Sequence, residues 1–160
     1  MYNDLSLGTP NVSLLGLNHQ YGPAPLDGAY SIILQAFPYG TGSPSISQTG
    51  LVPASARSLF FEAEQSGSGT PAGILQVSLG GQNLPVYAVS SGANYTLYGA
   101  DVSAFAGQTK QLTFLADAIG PGDNFWEIDD IQFSPSSVPE PSVLGLFVLG
   151  GLFFRFRSPN

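Results

Sequence analysis

The sequence holds no cysteine, one histidine and only four Lys and Arg residues among 160. The missing cysteines remove disulfide staples, thiolate metal sites and Cys nucleophiles together. A single His excludes a His-rich metal cage. Four cations against 11 Asp and Glu give a formal net charge of −7, so no cationic surface exists to hold a phosphate backbone and nucleic acid is excluded as a partner. Charged residues make up only 9% of the chain, against a globular norm of about 25%, which argues against long solvent-facing helices. The length leaves room for one domain, and a multi-domain enzyme is excluded with it.

What the chain has instead is 20 Gly and 13 Pro within a 43% hydrophobic, 12% aromatic composition. That apolar content can build a core, unlike a disordered low-complexity chain. Apolar residues recur with a period close to two, in short runs broken by Gly, Pro, Ser and Asn. The pattern predicts strands at Val12–Leu17, Ala29–Gln35, Ser45–Gln48, Ser58–Glu64, Ile74–Leu79, Leu84–Val89, Tyr95–Tyr98, Gln111–Ala116 and Phe125–Phe133. Turn chemistry separates them, with Gly80-Gly81 closing a hairpin between the fifth and sixth runs. The expected fold is all-β: an antiparallel β-sandwich of jelly-roll type over residues 1–134, followed by a short C-terminal hydrophobic helix.

The last predicted strand breaks its own alternation. Trp126 and Ile128 share one face while Ile131 and Phe133 share the other. One extra residue at Asp129-Asp130, a β-bulge, restores a single apolar face and buries all four. A two-sided central strand is the alternative.

Catalytic constellations are sparse. His19 lies in a polar loop without a nearby acid, no Gly-x-Ser-x-Gly elbow occurs, and Gly80-Gly81 opens no helix that could cradle phosphate. Glu62 and Glu64 project from one strand face about 7 Å apart, within the range of glycosidase carboxylate pairs, although a solvated outer face is the plainer reading. The chain is therefore read as non-catalytic. The oxygen-rich set Asp123, Glu127, Asp129 and Asp130 could bind a structural Ca²⁺, which takes six to eight oxygens. Tyr87, Tyr95 and Tyr98, with Tyr30 and Tyr39, could stack on sugar rings, Tyr95 and Tyr98 foremost, although core and turn packing is the commoner use.

From Ser134 the composition shifts. Residues 135–141 are a Pro/Ser linker containing Pro139-Glu140-Pro141, and Val143–Phe154 then runs without a charge until Arg155 and Arg157. A helix over Ser142–Phe156 reaches only about 22 Å, short of the ~30 Å hydrocarbon core, yet it has no polar face to turn to water. Snorkelling arginines and a thinned bilayer accommodate a short span, and the positive-inside rule places the sandwich outside.

This three-part order of Val138-Pro139-Glu140-Pro141-Ser142, apolar run and basic end resembles the PEP-CTERM sorting signal of bacterial exported proteins. The resemblance covers about 20 residues. It implies that Pro139, Glu140 and Pro141 are read by an exosortase, a processing enzyme, and that residues 142–157, with Arg155 and Arg157, anchor the protein in the membrane beforehand. Export also requires a signal peptide, and none follows Met1-Tyr2-Asn3-Asp4. The expectation is a reading frame that starts late and lacks the first strand.

The body carries a second resemblance. Asp101–Thr109, Leu112-Thr113-Phe114 and Trp126–Phe133 are similar to the end of galactose-binding-like jelly rolls in carbohydrate-binding modules. The resemblance implies a structural calcium held by a last-strand acid, matched by Asp129 or Asp130, together with an N-terminal Glu motif that has no counterpart here. Two functions follow as expectations: an exported cell-surface or extracellular-matrix protein sorted by its tail, and a carbohydrate-binding module for an extracellular polysaccharide.

Overall fold

The computed structural model describes residues 11–18, 23–37, 43–66, 73–118 and 124–139. Ten strands follow in chain order: β1 (Asn11–Gly16), β2 (Tyr30–Ala36), β3 (Ser45–Leu51), β4 (Ser58–Ser66), β5 (Gly73–Leu79), β6 (Gln82–Asn83), β7 (Tyr87–Ser91), β8 (Thr96–Asp101), β9 (Thr109–Ala118) and β10 (Asn124–Ser134). They form a six-stranded sheet of order β1-β2-β10-β4-β8-β7 and a four-stranded sheet of order β3-β9-β5-β6. Every pairing is antiparallel. The all-β sandwich read from the period-two pattern is the fold. Among the described residues the single helical turn is a three-residue 3₁₀ segment, Ser103–Phe105.

The core sits between the sheets. Alternation along β4 turns Leu59, Phe61 and Ala63 inward, all fully buried, where they meet Leu34, Val77, Leu79, Phe114, Trp126 and Ile128. Aromatic rings tie the layers together: Phe61 lies edge-on to Phe114 at 5.0 Å between centroids, and Tyr98 stacks on Phe61 at 5.5 Å while meeting the edge of Trp126 at 6.4 Å. Such pairs add about 0.5–1.5 kcal/mol each beyond the area they bury.

Three local departures from the sequence pattern have physical causes. The run Leu84–Val89 is not one strand. The hairpin strand β6 ends at Asn83, before the run begins, and Leu84 N donates to Val77 O at 2.9 Å. Pro85 then has no N–H for the ladder, and the chain crosses to the other sheet to become β7 against β8.

The second departure is in β10. Asp129 pairs with Glu62 and Gln132 with Phe60, so Asp130 and Ile131 together stand opposite Phe61. This is the expected irregularity, with Asp130 in the left-handed region at φ 43°. The bulge returns Phe133 to the core side opposite Leu59, but Ile131 does not share its burial. It is 38% exposed, because it lies at an open side of the sandwich that the four-stranded sheet leaves uncovered.

Third, the outer face of β1, β2 and β10 is covered. Ser13, Leu15, Ser31, Ile33, Gln35 and Glu127 all point away from the main core and are nonetheless at most 2% exposed. Part of the cover is the segment 23–29, whose Leu26 N donates to Ser31 Oγ at 2.8 Å, and part is Phe37, edge-on to Phe125 at 5.6 Å.

Candidate functional site

The bulge in β10 brings together residues far apart in sequence. Asp129 Oδ2 accepts from Ser31 Oγ at 3.0 Å and from Asp27 N at 3.4 Å, and its Oδ1 accepts from Asp130 N at 2.8 Å. Asp130 Oδ2 in turn accepts from Gln132 Nε2 at 2.8 Å. Asn94 Nδ2 donates to Leu26 O at 3.1 Å and pins the segment before Asp27 to the β7–β8 turn. The result is an acidic ridge of Asp27, Asp129 and Asp130 beside Glu62, the cross-strand neighbour of Asp129.

Glu62 differs from the three acids of the ridge because it is only 7% exposed. Its cover is shallow, at the protein surface. Tyr95 supplies part of it and its hydroxyl hydrogen-bonds to the carboxylate, while Oε2 has no partner among the described residues. Loss of water raises the Glu62 pKa above the ordinary glutamate value; the Tyr95 hydrogen bond opposes this, and the negative field of Asp130, Asp27 and Asp129 adds to it. The same hydrogen bond is the chief reason that the Tyr95 phenol is raised. Gly92 makes the arrangement feasible, since a Cβ there would stand 2.7 Å from Cε1 and Cζ of the Tyr95 ring.

Asp129 and Asp130, the acids named for calcium, stand side by side at the bulge. Both oxygens of Asp129 already accept local donors, and among the described residues no three Asp, Glu, His or Cys side chains gather to hold a metal. Glu127 is buried on the covered face of β10 and Glu64 is exposed, so Glu62 and Glu64 do not form an open pair. Asp123, His19 and Tyr39 lie outside the described residues.

The tyrosine pair separates. Tyr95 is half-buried at the acidic ridge, whereas Tyr98 belongs to the core, stacked on Phe61, with its phenol raised first by burial and then by Glu64. Three positions divide Tyr95 from Tyr98, and the strand begins between them at Thr96, so the two rings do not share a platform. Tyr30, beside Asp129 and Asp130, and Tyr87, beside Arg57 and Asp101, are about half exposed.

The chain beyond β10 stays attached to the sandwich as far as it is described. Arg57 N donates to Ser134 O at 2.8 Å, and Ser58 Oγ donates to Ser136 O at 2.6 Å. An open cavity of about 440 Å³ lies between Arg57, Tyr87, Asp101 and Ser103 of the body and Ser137, Val138 and Pro139 of the linker. Asp101 Oδ1 accepts from Ser103 N at 2.8 Å, which holds its carboxyl below the usual carboxylate range. Pro139 is exposed; Glu140, Pro141, Arg155 and Arg157 lie outside the described residues. Among the described residues no helix is long and apolar enough to cross a membrane.

Sequence reasoning missed Arg57 beside the linker and Tyr95 as the partner of Glu62. Arg57 carried one signal, as one of two cations before the tail. The Glu62–Tyr95 contact had none, because it depends on how the β7–β8 turn folds over β4.

The fold and surface define an all-β sandwich with an acidic ridge and a docked C-terminal linker. No family model, curated protein or solved structure matches the chain.

Proposed function

We propose that this chain is an exported, non-catalytic protein of the bacterial cell surface or extracellular matrix, sorted through a PEP-CTERM signal and cut by an exosortase-type enzyme. The observation that carries this reading is the tail's order: Pro139-Glu140-Pro141, the uncharged run Val143–Phe154, then Arg155 and Arg157. In this reading residues 142–157 form a short helix that holds the membrane before processing, with the arginines cytoplasmic and a jelly-roll body outside. The linker anchored at Ser136 supports it, because Pro139, the first residue of the triplet, is exposed. A cut near Pro141 leaves Arg57 and Lys110 against all 11 acids, a formal charge of −9. The product is an acidic, water-soluble sandwich.

The test is expression behind a working signal peptide in a host with an exosortase. Mass spectrometry of the surface fraction should find a protein that has lost Leu144–Arg157, while Glu140→Ala keeps the chain in the membrane uncut. A mature protein still carrying Leu144–Arg157 would overturn the sorting reading.

A carbohydrate-binding role for an extracellular polysaccharide is the second reading. It is favoured by Tyr87, 47% exposed beside Arg57, Asp101 and Ser103, since an aromatic face flanked by polar groups suits a sugar ring. Pull-down by insoluble polysaccharide that survives both Tyr87→Ala and Tyr95→Ala would remove these rings from that role.

A further inference from the structure

The edge strands of the two sheets are not alike. β7 carries an irregularity between Ala88 and Ser90, and β6 is two residues long. In β1, Asn11, Val12, Ser13 and Gly16 make further contacts. β3 has none of these features. It runs for seven residues, pairs among the described residues only with β9, and keeps an unbroken register from Ser45↔Leu115 to Leu51↔Thr109. Its sequence, Ser-Ile-Ser-Gln-Thr-Gly-Leu, contains no charge and no proline. An edge of this kind presents a row of unpaired N–H and C=O groups, which folded proteins ordinarily blunt with Lys, Pro, bulges or short length.

The side chains of β3 are as open as its backbone. Only Ile46 is half-covered; the other six residues are exposed, and Leu51 reaches 66%. Ile46, Gln48 and Gly50 share the inward face with Phe114 and Leu112 of β9. Gln48 and Gly50 are exposed on that face because a slot of about 190 Å³ lies beside them, walled by Leu51, Leu112, Ile131 and Phe133. The apolar surface that the β10 bulge leaves open at Ile131 therefore adjoins the free edge.

We propose that β3 is a self-association edge: two copies of this chain pair β3 to β3, antiparallel about a two-fold axis, and join their four-stranded sheets into one continuous sheet. The strand's own sequence favours a second copy as the occupant. An axis normal to the sheet keeps every side chain on its own face, so one residue must stand opposite itself. Centring on Gln48 uses the whole strand: Ser47 faces the partner's Thr49, Ile46 the partner's Gly50, and Ser45 the partner's Leu51. Hydroxyl pairs across strands are favourable, and no like charges meet.

Charge points the same way. At −7 overall the chain repels its own copy over much of its surface. Within β3 and the β9 residues paired to it, Thr109–Leu115, the only charge is Lys110. Identical edges meeting about a two-fold axis close on themselves, which limits the assembly to a dimer.

The absence of native cysteine makes the test position-specific. In the detergent-solubilised full chain, Gln48→Cys should oxidise readily to a covalent dimer, because opposed Cα atoms in an antiparallel pair stand about 4.5–5.5 Å apart, within disulfide range. Leu51→Cys should not, since its two copies are separated by six residue steps, about 20 Å. A Gln48→Cys chain that stays monomeric, or that cross-links no faster than Leu51→Cys, overturns the proposal. Light scattering supplies a second arm: the unsubstituted chain should have the mass of a dimer and Gln48→Lys, which sets two ammonium groups face to face, that of a monomer. An unsubstituted chain that is already monomeric at the highest concentration measured also overturns it.

Discussion

The Tyr95 hydroxyl hydrogen-bonds to the Glu62 carboxylate across the junction of the β7–β8 turn and β4. Tyr95 precedes its strand and Glu62 sits inside one. The pair exists because Gly92 lets the ring lie flat against the turn and Gly92 N closes that turn on Tyr95 O at 2.8 Å.

Stability should carry the mark of Glu62. Its pKa is raised in the folded state, so the folded chain keeps a proton at a pH where the unfolded chain has released it. That contribution is fully present below the ordinary glutamate value and is lost as pH rises through the folded value. Glu62→Gln retains an acceptor for Tyr95 and removes the charge facing Asp130, Asp27 and Asp129. We expect its melting temperature at pH 7 to exceed that of the unsubstituted chain by about 2–4 °C, and the gap to close towards pH 4. Thermal melts across that range check it; a variant less stable at pH 7 would contradict this electrostatic account.

Gln35 is 1% exposed, and among the described residues neither Nε2 nor Oε1 has a hydrogen-bond partner. Burying an unsatisfied amide costs about 1–3 kcal/mol, and methionine has a similar length without that cost. Gln35→Met should therefore raise the unfolding free energy by about 1 kcal/mol, read as a higher denaturation midpoint at unchanged slope. A lower midpoint would show that the covered face of β2 needs the amide.

Asp130 holds the bulge with φ at 43°. A left-handed residue other than Gly is strained by about 1–2 kcal/mol, and Gly is free of that strain. The substitution also removes the acceptor for Gln132 Nε2, a surface hydrogen bond of modest worth. Asp130→Gly should leave stability equal or higher by up to about 1 kcal/mol, whereas Asp130→Val should lose more than that, because a β-branched side chain resists positive φ. Denaturant titration of the two variants checks the order.

Local physics made much of this protein legible in one dimension. Alternation along Ser58–Glu64 placed Leu59, Phe61 and Ala63 inward, and the phase slip between Ile128 and Ile131 located the bulge before any pairing was known. A strand's side-chain period is a property of the backbone, so the sequence reveals it wherever one face is buried. The tail's order of triplet, apolar run and arginines is likewise a linear feature.

Tertiary structure decided the rest. Which face counts as the outside depends on what crosses it: Glu62 reads as a solvated acid until the β7–β8 turn covers it, and Gln35 and Glu127 read as surface until their side of the sheet is closed. Tyr98 reads as a platform until Phe61 takes its ring, and Ile131 reads as core until the opposite sheet stops short of it. Strand order decided these outcomes. It is fixed by pairings between residues as distant as Ile32 and Ile128, and no local period encodes such a pairing.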